Sequence, residues 1–166
     1  FTPLDGVIMG TRCGAIDASA VLYLMEKTGM NASEMSNYLN KKCGFFGITG
    51  GKSDNRDIEA GVAAGDERCA LASNMLGYEI KKQIGAYAAA MGGLDAVVFT
   101  GGIGENAIGI RKLACSGLEF LGIKLDEERN VALNHGEGRI STDDSKVEVW
   151  IVPTNEELLI AMDTQA

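Results

Sequence analysis

The sequence predicts an α/β domain in which helix dominates. Three observations carry that prediction. Within residues 66–91, Ala72, Leu76, Ile80, Ile84, Tyr87 and Met91 recur at steps of four and three, the spacing that keeps one face of a helix apolar. From Asp95 the chain reads DAVVFTGG, a buried strand running straight into a glycine turn. From Val147 it reads VEVWIVP, a second strand.

The other elements follow in order. Residues 1–14 form a short apolar stretch and a glycine-rich turn. Asp17 caps a helix that runs to about Thr28 and stops at Gly29. A second helix spans Ala32 to Lys41, started by Asn31 or Ser33, and the segment CGFFGITGG from Cys43 reads as an apolar loop. Ser53-Asp54 opens a short helix to about Ala64. Gly92-Gly93 ends the long helix, and after the first strand another helix is expected from about Glu105 to Leu121, closed by Gly122. Residues 123–140 are polar, with a short helix around Glu127–Leu133. Thr154-Asn155 caps a final helix from Glu156 to about Asp163. Trp150 and the methionines fit the core, and the lone His135 reads as exposed. No repeat and no linker composition divides the chain, so one domain is expected.

Composition narrows the function. With 46% hydrophobic and 23% charged residues among 166, the chain can build a packed core, which excludes general disorder. Acidic residues outnumber basic ones by 23 to 15, for a formal net charge of −8; that sign excludes nucleic acid and anionic lipid as default partners. No apolar run approaches the ~20 residues that span a bilayer, and no secretory signal pattern is found, so no membrane association is expected. Cys13, Cys43, Cys69 and Cys115 form no CxxC pair, which points to reduced, mostly buried thiols in a cytoplasmic protein. Glycine is abundant, 22 residues beside two prolines, and clusters where apolar segments end. Such clusters suit tight loops that approach a ligand.

The densest cluster lies in TGGIGEN, between strand and helix. Gly101, Gly102 and Gly104 let the backbone approach a ligand, and the helix start beyond them offers unsatisfied N–H groups and the positive end of a dipole. At the C-terminal end of a parallel strand, this is where α/β sheets bind nucleotides. A tight turn without a ligand is the alternative. Gly102-Ile103-Gly104-Glu105-Asn106-Ala107 also fits G-x-G-x-x-A, with Asp126 at the spacing of a dinucleotide fingerprint for NAD. Against that stand the charge of Glu105, which would face a pyrophosphate, and ninety preceding residues that read as helix. No Walker loop is expected.

Three further motifs each leave two readings. Arg12, between Gly10 and Gly14, is either a solvated loop residue or a fork of donors for phosphate or carboxylate. In Ser53-Asp54-Asn55-Arg56-Asp57, Asp54 caps a helix with Arg56 in solvent, or the segment faces a ligand. Glu156, after Pro153-Thr154-Asn155, is either a first-turn acid favoured by the helix dipole or a carboxylate near magnesium and nucleotide phosphates.

Taken together and in order, FTPLDG…MGTRCG, SDNRD, AYAAAMGGLDAVVFTGGIGEN and IVPTNEEL closely resemble the C-terminal part of the acetate and propionate kinase family. The resemblance covers the whole chain. It implies the ribonuclease-H-like fold shared by actin, the heat-shock chaperones and the sugar kinases, with a central, mainly parallel sheet. It implies reversible transfer of the γ-phosphoryl of ATP to acetate, giving acetyl phosphate and ADP, with Mg2+ and in a homodimer. By the same resemblance Arg12 neutralises charge on the transferring phosphoryl group, while Asp54, Asn55 and Arg56 hold the adenosine. Gly102, Ile103, Gly104, Glu105 and Asn106 lie against the nucleotide, and Glu156 is the magnesium-associated carboxylate. Residues 1–166 are then the nucleotide-binding C-terminal domain, with an N-terminal domain absent. Two positions depart from the family pattern. Gly14-Ala15-Ile16-Asp17-Ala18 replaces Gly-Asp-x-Asp-Pro, and Asn55 stands where methionine is common. A non-catalytic nucleotide-binding or dimerisation module and a propionate kinase are the alternative readings.

Overall fold

A computed structural model describes residues 2–134 and 136–165, so His135 lies outside the described residues. The chain divides into two compact units, Phe1–Gln83 and Ile84–Ala166. The boundary falls inside a helix, which is why no linker composition marks it.

The first unit is helical. Helix α1 (Ala18–Thr28) starts where the Asp17 side chain accepts the Ala20 N–H and stops at Gly29, which adopts a left-handed conformation. Asn31 and Glu34 close a reciprocal capping box on α2 (Ala32–Lys41). Cys43–Gly51 is not a loop: Gly44–Thr49 forms α3. The Phe45 and Phe46 N–H groups donate to the carbonyls of Met9 and Gly10 at 2.9 Å each, so bonds from outside the segment support a helix that its glycines argue against. Helix α4 (Asn55–Ala63) is capped by Asp54. Helix α5 (Glu67–Met91) is the longest, as its periodicity predicts, and its last turns belong to the second unit. Ile8, Met35, Leu39, Phe45, Ile58, Cys69, Ala72 and Leu76 are buried in this unit. Phe45 and Ile58 are almost fully removed from water, each contributing roughly 1.5–3 kcal/mol. Tyr87 and Met91, at the end of the expected stripe, are exposed, and Ala88 is buried instead.

The second unit carries the sheet: β1 (Ala96–Phe99), β2 (Gly138–Arg139) and β3 (Glu148–Ile151) in the order β1-β3-β2. Strands β1 and β3 pair in parallel, with Phe99 beside Ile151, while β2 pairs antiparallel to β3. The sheet is therefore small and mixed, its longer pairing parallel. As an edge strand, β1 buries only Phe99 and leaves Val98 exposed, so the apolar run is not the buried strand that its composition suggested. The helix expected from Glu105 to Leu121 is two helices, α6 (Gly101–Asn106) and α7 (Ile108–Cys115), then a single 3-10 turn at Glu119–Leu121. Helix α8 (Glu127–Ala132) is capped by Asp126, and Asn155 caps α9 (Glu156–Gln165) by accepting the Leu158 N–H at 3.0 Å. Trp150 is half-buried and its indole N–H donates to Glu148, whereas Met91 and Met162 are exposed. Cys69 and Cys115 are buried, Cys13 and Cys43 half-buried. Among the described residues no helix is long and apolar enough to cross a membrane.

Candidate functional site

In the first unit the arginine loop is built from backbone bonds. Met9 N–H donates to the Arg12 carbonyl at 3.2 Å, Cys13 N–H to Leu39 at 3.0 Å, and Cys43 N–H to Thr11 at 3.0 Å. Glu79, on α5, accepts the Ile8 N–H at 2.6 Å just ahead of the loop. The family departure at Ala15 leaves the turn closed, because Ala15 N–H reaches the Gly6 carbonyl at 2.8 Å and Asp17 still caps α1.

Arg12 itself is half-buried. Its Nη1 donates to the Pro3 carbonyl at 3.4 Å and lies 3.9 Å from the Met9 sulfur. No carboxylate pairs with it among the described residues. A held guanidinium with spare donors and no counter-charge is equipped to receive an anion.

The same unit brings this loop against the second motif. A Cβ on Gly10 would stand 2.7 Å from the Ser53 carbonyl oxygen, so the turn before Arg12 packs directly on the residue before Asp54. Asp54 both caps α4, through the Arg56 N–H at 2.9 Å, and pairs with the Arg56 guanidinium at 2.6 Å. That guanidinium, with the backbone N–H of Arg56, holds the Asp54 carboxyl down to about 2. Arg56 reaches into solvent, its side chain 87% exposed. Asn55 Oδ1 is buried and has no hydrogen-bond partner among the described residues, an orphan acceptor that a ligand donor can satisfy.

Just upstream, Gly51-Lys52-Ser53 has the ending of a phosphate loop, but Phe46 stands where the first glycine of that motif belongs. Lys52 Nζ is moreover held by Asp66 at 2.8 Å and Cys69 Sγ at 3.2 Å. Those contacts raise the lysine above its ordinary pKa and hold the Asp66 carboxyl well below the usual carboxylate range.

The second unit holds the glycine-rich loop and Glu156. Its three glycines serve different ends. Gly101 turns the chain at φ 71°, a Cβ on Gly104 would lie 3.2 Å from the Phe99 backbone, and Gly102 faces open space. Helix α6 begins at Gly101, not at Glu105. Its first N–H is not free either, because Glu105 Oε1 accepts it at 2.8 Å. The same oxygen accepts the Thr154 N–H at 2.8 Å and its hydroxyl at 3.1 Å. The two donors of Thr154 and the Gly101 N–H keep the Glu105 carboxyl below its ordinary pKa. Asn106 Nδ2 donates to the Gly102 carbonyl at 2.8 Å. Ile103 is half-buried.

Sequence reasoning missed Arg111, which is fully buried. Its Nη1 donates to the carbonyls of Gly104 at 2.9 Å and Glu105 at 2.8 Å, and its Nε to Asn130 Oδ1 at 2.6 Å. The one available signal was its place on a buried helical stripe with Ala107, Ala114 and Leu118. Asp126 caps α8 through the Arg129 N–H and pairs with Arg129 at 3.3 Å, so it is engaged otherwise than on a ribose.

Glu156 is exposed in the first turn of α9, where the dipole favours its charge. No group of three His, Cys, Asp or Glu that could hold a metal is found among the described residues. A magnesium ion that takes one carboxylate, water and substrate phosphates needs no such group, so the donor set at Glu156 fits it.

Comparison with known proteins places these features in a family. The Acetokinase family model matches residues 1–162. The acetate kinase of Phocaeicola vulgatus is 56% identical over 166 residues, all of this chain and 42% of that protein. The crystal structure of Porphyromonas gingivalis acetate kinase superimposes with a TM-score of 0.94 at 48% identity, over 99% of this chain and 41% of that one. A propionate kinase structure from Francisella tularensis gives 0.89 at 40% identity, over 98% of this chain and 41% of that one. The chain thus spans about two fifths of the length of the relatives that it matches.

Proposed function

We propose that this chain, which belongs to the acetokinase family, is the C-terminal, nucleotide-binding part of an acetate kinase. In that kinase the γ-phosphoryl of ATP passes reversibly to the carboxylate of acetate, giving acetyl phosphate and ADP. The observation that carries the reading is Arg12: a half-buried guanidinium on a pinned loop, without a carboxylate partner among the described residues. Likeness to the acetate kinase structure at 48% identity, against 40% for the propionate kinase, favours acetate as the acceptor.

Phosphoryl transfer asks a protein mainly for positioning and charge. Arg12 neutralises the oxygens of the transferring group, and its worth lies in being held before the reaction begins. Asp54, Asn55 and Arg56 receive the nucleoside, the orphan Oδ1 of Asn55 being an acceptor for one of its donors. The loop Gly102–Asn106 lies against the nucleotide through its open face at Gly102. Glu156 would hold Mg2+ through its carboxylate, and the bound ion supplies further neutralisation of phosphate charge. The family likeness and scattered cysteines with no CxxC pair support a cytoplasmic homodimer.

Calorimetric titration of the chain with Mg-ADP, with NAD as the control, tests the binding part of the reading. Saturable ADP binding without NAD binding supports it. Acetyl phosphate formation by the intact kinase carrying this segment tests the rest. ADP binding without any transfer, in that intact protein, would leave a nucleotide-binding module and overturn the enzyme.

A further inference from the structure

Strands β1 and β3 lie side by side and parallel, so the segments that leave them emerge at the same end of the sheet. The pairing persists one step beyond the strands, with Val152 N–H donating to the Phe99 carbonyl at 3.0 Å. One segment then opens the glycine loop at Gly101, and the other passes Thr154 on its way to Glu156. Past Val152 the tie between them is Glu105. A single oxygen, Oε1, accepts the Gly101 N–H, the Thr154 N–H and the Thr154 hydroxyl across 49 positions of chain. The other end of the loop is held separately, by Arg111 on the Gly104 and Glu105 carbonyls. Glu105 is thus anchored through its own backbone carbonyl while its side chain holds Thr154.

We infer that Glu105 is a positioning residue: by holding Thr154 it fixes where Glu156 begins relative to the loop Gly102–Asn106. The inference rests on the roles proposed above for that loop and for Glu156, and it gives Glu105 a task other than touching the nucleotide. Residues that orient a metal ligand from behind tune metal affinity, and their loss costs about 10–100-fold. Loss of the tie should therefore appear in the divalent-cation requirement before it appears in binding of the metal-free nucleotide.

The test uses Glu105→Ala, Thr154→Val and Glu105→Gln in the intact kinase, with MgCl2 and ADP as probes. Glu105→Ala should raise the half-saturating magnesium concentration about tenfold or more, a larger factor than the accompanying change in metal-free ADP affinity. Thr154→Val, which replaces the hydroxyl donor with a methyl group and keeps the backbone N–H, should shift the magnesium titration in the same direction by a smaller factor. Glu105→Gln should recover part of the loss, since its amide oxygen still accepts from both backbone N–H groups. A second readout needs no activity: amide exchange at Gly101 and Thr154 should be slow in the unaltered chain and accelerate together in Glu105→Ala. Unchanged magnesium titrations in Glu105→Ala and Thr154→Val overturn the inference, and so does independent exchange at the two amides. If the unaltered kinase transfers no phosphoryl group, the proposed function fails while the exchange experiment still decides whether Glu105 ties the two segments.

Discussion

Gly10 rests on the backbone of Ser53, so closely that a Cβ on Gly10 would lie 2.7 Å from the Ser53 carbonyl oxygen. This contact joins the two arginine-bearing motifs of the first unit, and it depends on the smallest side chain being present at position 10. Gly10→Ala should displace one segment or the other, at a cost of about 1–3 kcal/mol. Denaturant melts of the chain measure that cost, and titration with ADP should show weakened binding. An alanine variant with unchanged stability and ADP affinity would show that the contact constrains neither motif.

Arg12 separates chemistry from binding. In the intact kinase Arg12→Ala should lower turnover by about a thousandfold, while ADP affinity changes by less than about tenfold. Steady-state kinetics alongside calorimetry reads both quantities. Arg12→Lys should recover only part of the rate, because an ammonium lacks the planar fork of donors.

Arg111 is a matter of stability. Arg111→Met keeps much of the volume but strips donors from the carbonyls of Gly104 and Glu105 and from Asn130 Oδ1. Each buried acceptor left without a partner costs about 1–3 kcal/mol, so the variant should lose several. A thermal melt checks this, and Asn130→Ala should reproduce part of the loss.

Acid should loosen the Lys52–Asp66 pair. The Lys52 ammonium, followed by the Cys69 N–H, holds the Asp66 carboxyl well below the usual range. The unfolded chain therefore takes up this proton first. The contribution of Asp66 is present above its unfolded value of about 4 and fades as pH falls toward the lower folded value. Melting temperature plotted against pH should show a shallower acid limb in Asp66→Asn than in the unaltered chain. Identical acid limbs would remove this pair from the acid response.

What was legible in the sequence was local. Asp17, Asn31 and Asp54 cap helices with their own side chains, and Gly29 stops one by its conformation, so neighbouring residues suffice to read them; Asp126, read at the spacing of a ribose acid, instead caps α8. The long stripe of α5 was legible where Ala72 and Leu76 meet the core, and it misled at Tyr87 and Met91. Helix α3 was not legible, because its support comes from Met9 and Gly10, far back in the chain. Nor was the break at Ala107. The Gly104 and Glu105 carbonyls that a continuing helix would pair with later N–H groups are taken by Arg111 instead. The motifs that carry the family likeness were legible in order, whereas the engagement of Glu105 by Thr154 depends on two parallel strands ending together. Nothing in the residues around either position announces that neighbour.

The clamp of Arg111 on the glycine loop also bears on how this segment could be re-purposed. The carbonyl end of the loop takes its shape from a guanidinium in the interior, and Gly104 has the Phe99 backbone at its side. Gly102 has nothing within 4 Å of where a Cβ would stand, and its backbone is helical. A mutational library aimed at altered ligand preference would thus find that folding tolerates a side chain at position 102, where it would meet the ligand, and not changes at 104 and 111, although all three belong to one short stretch of chain.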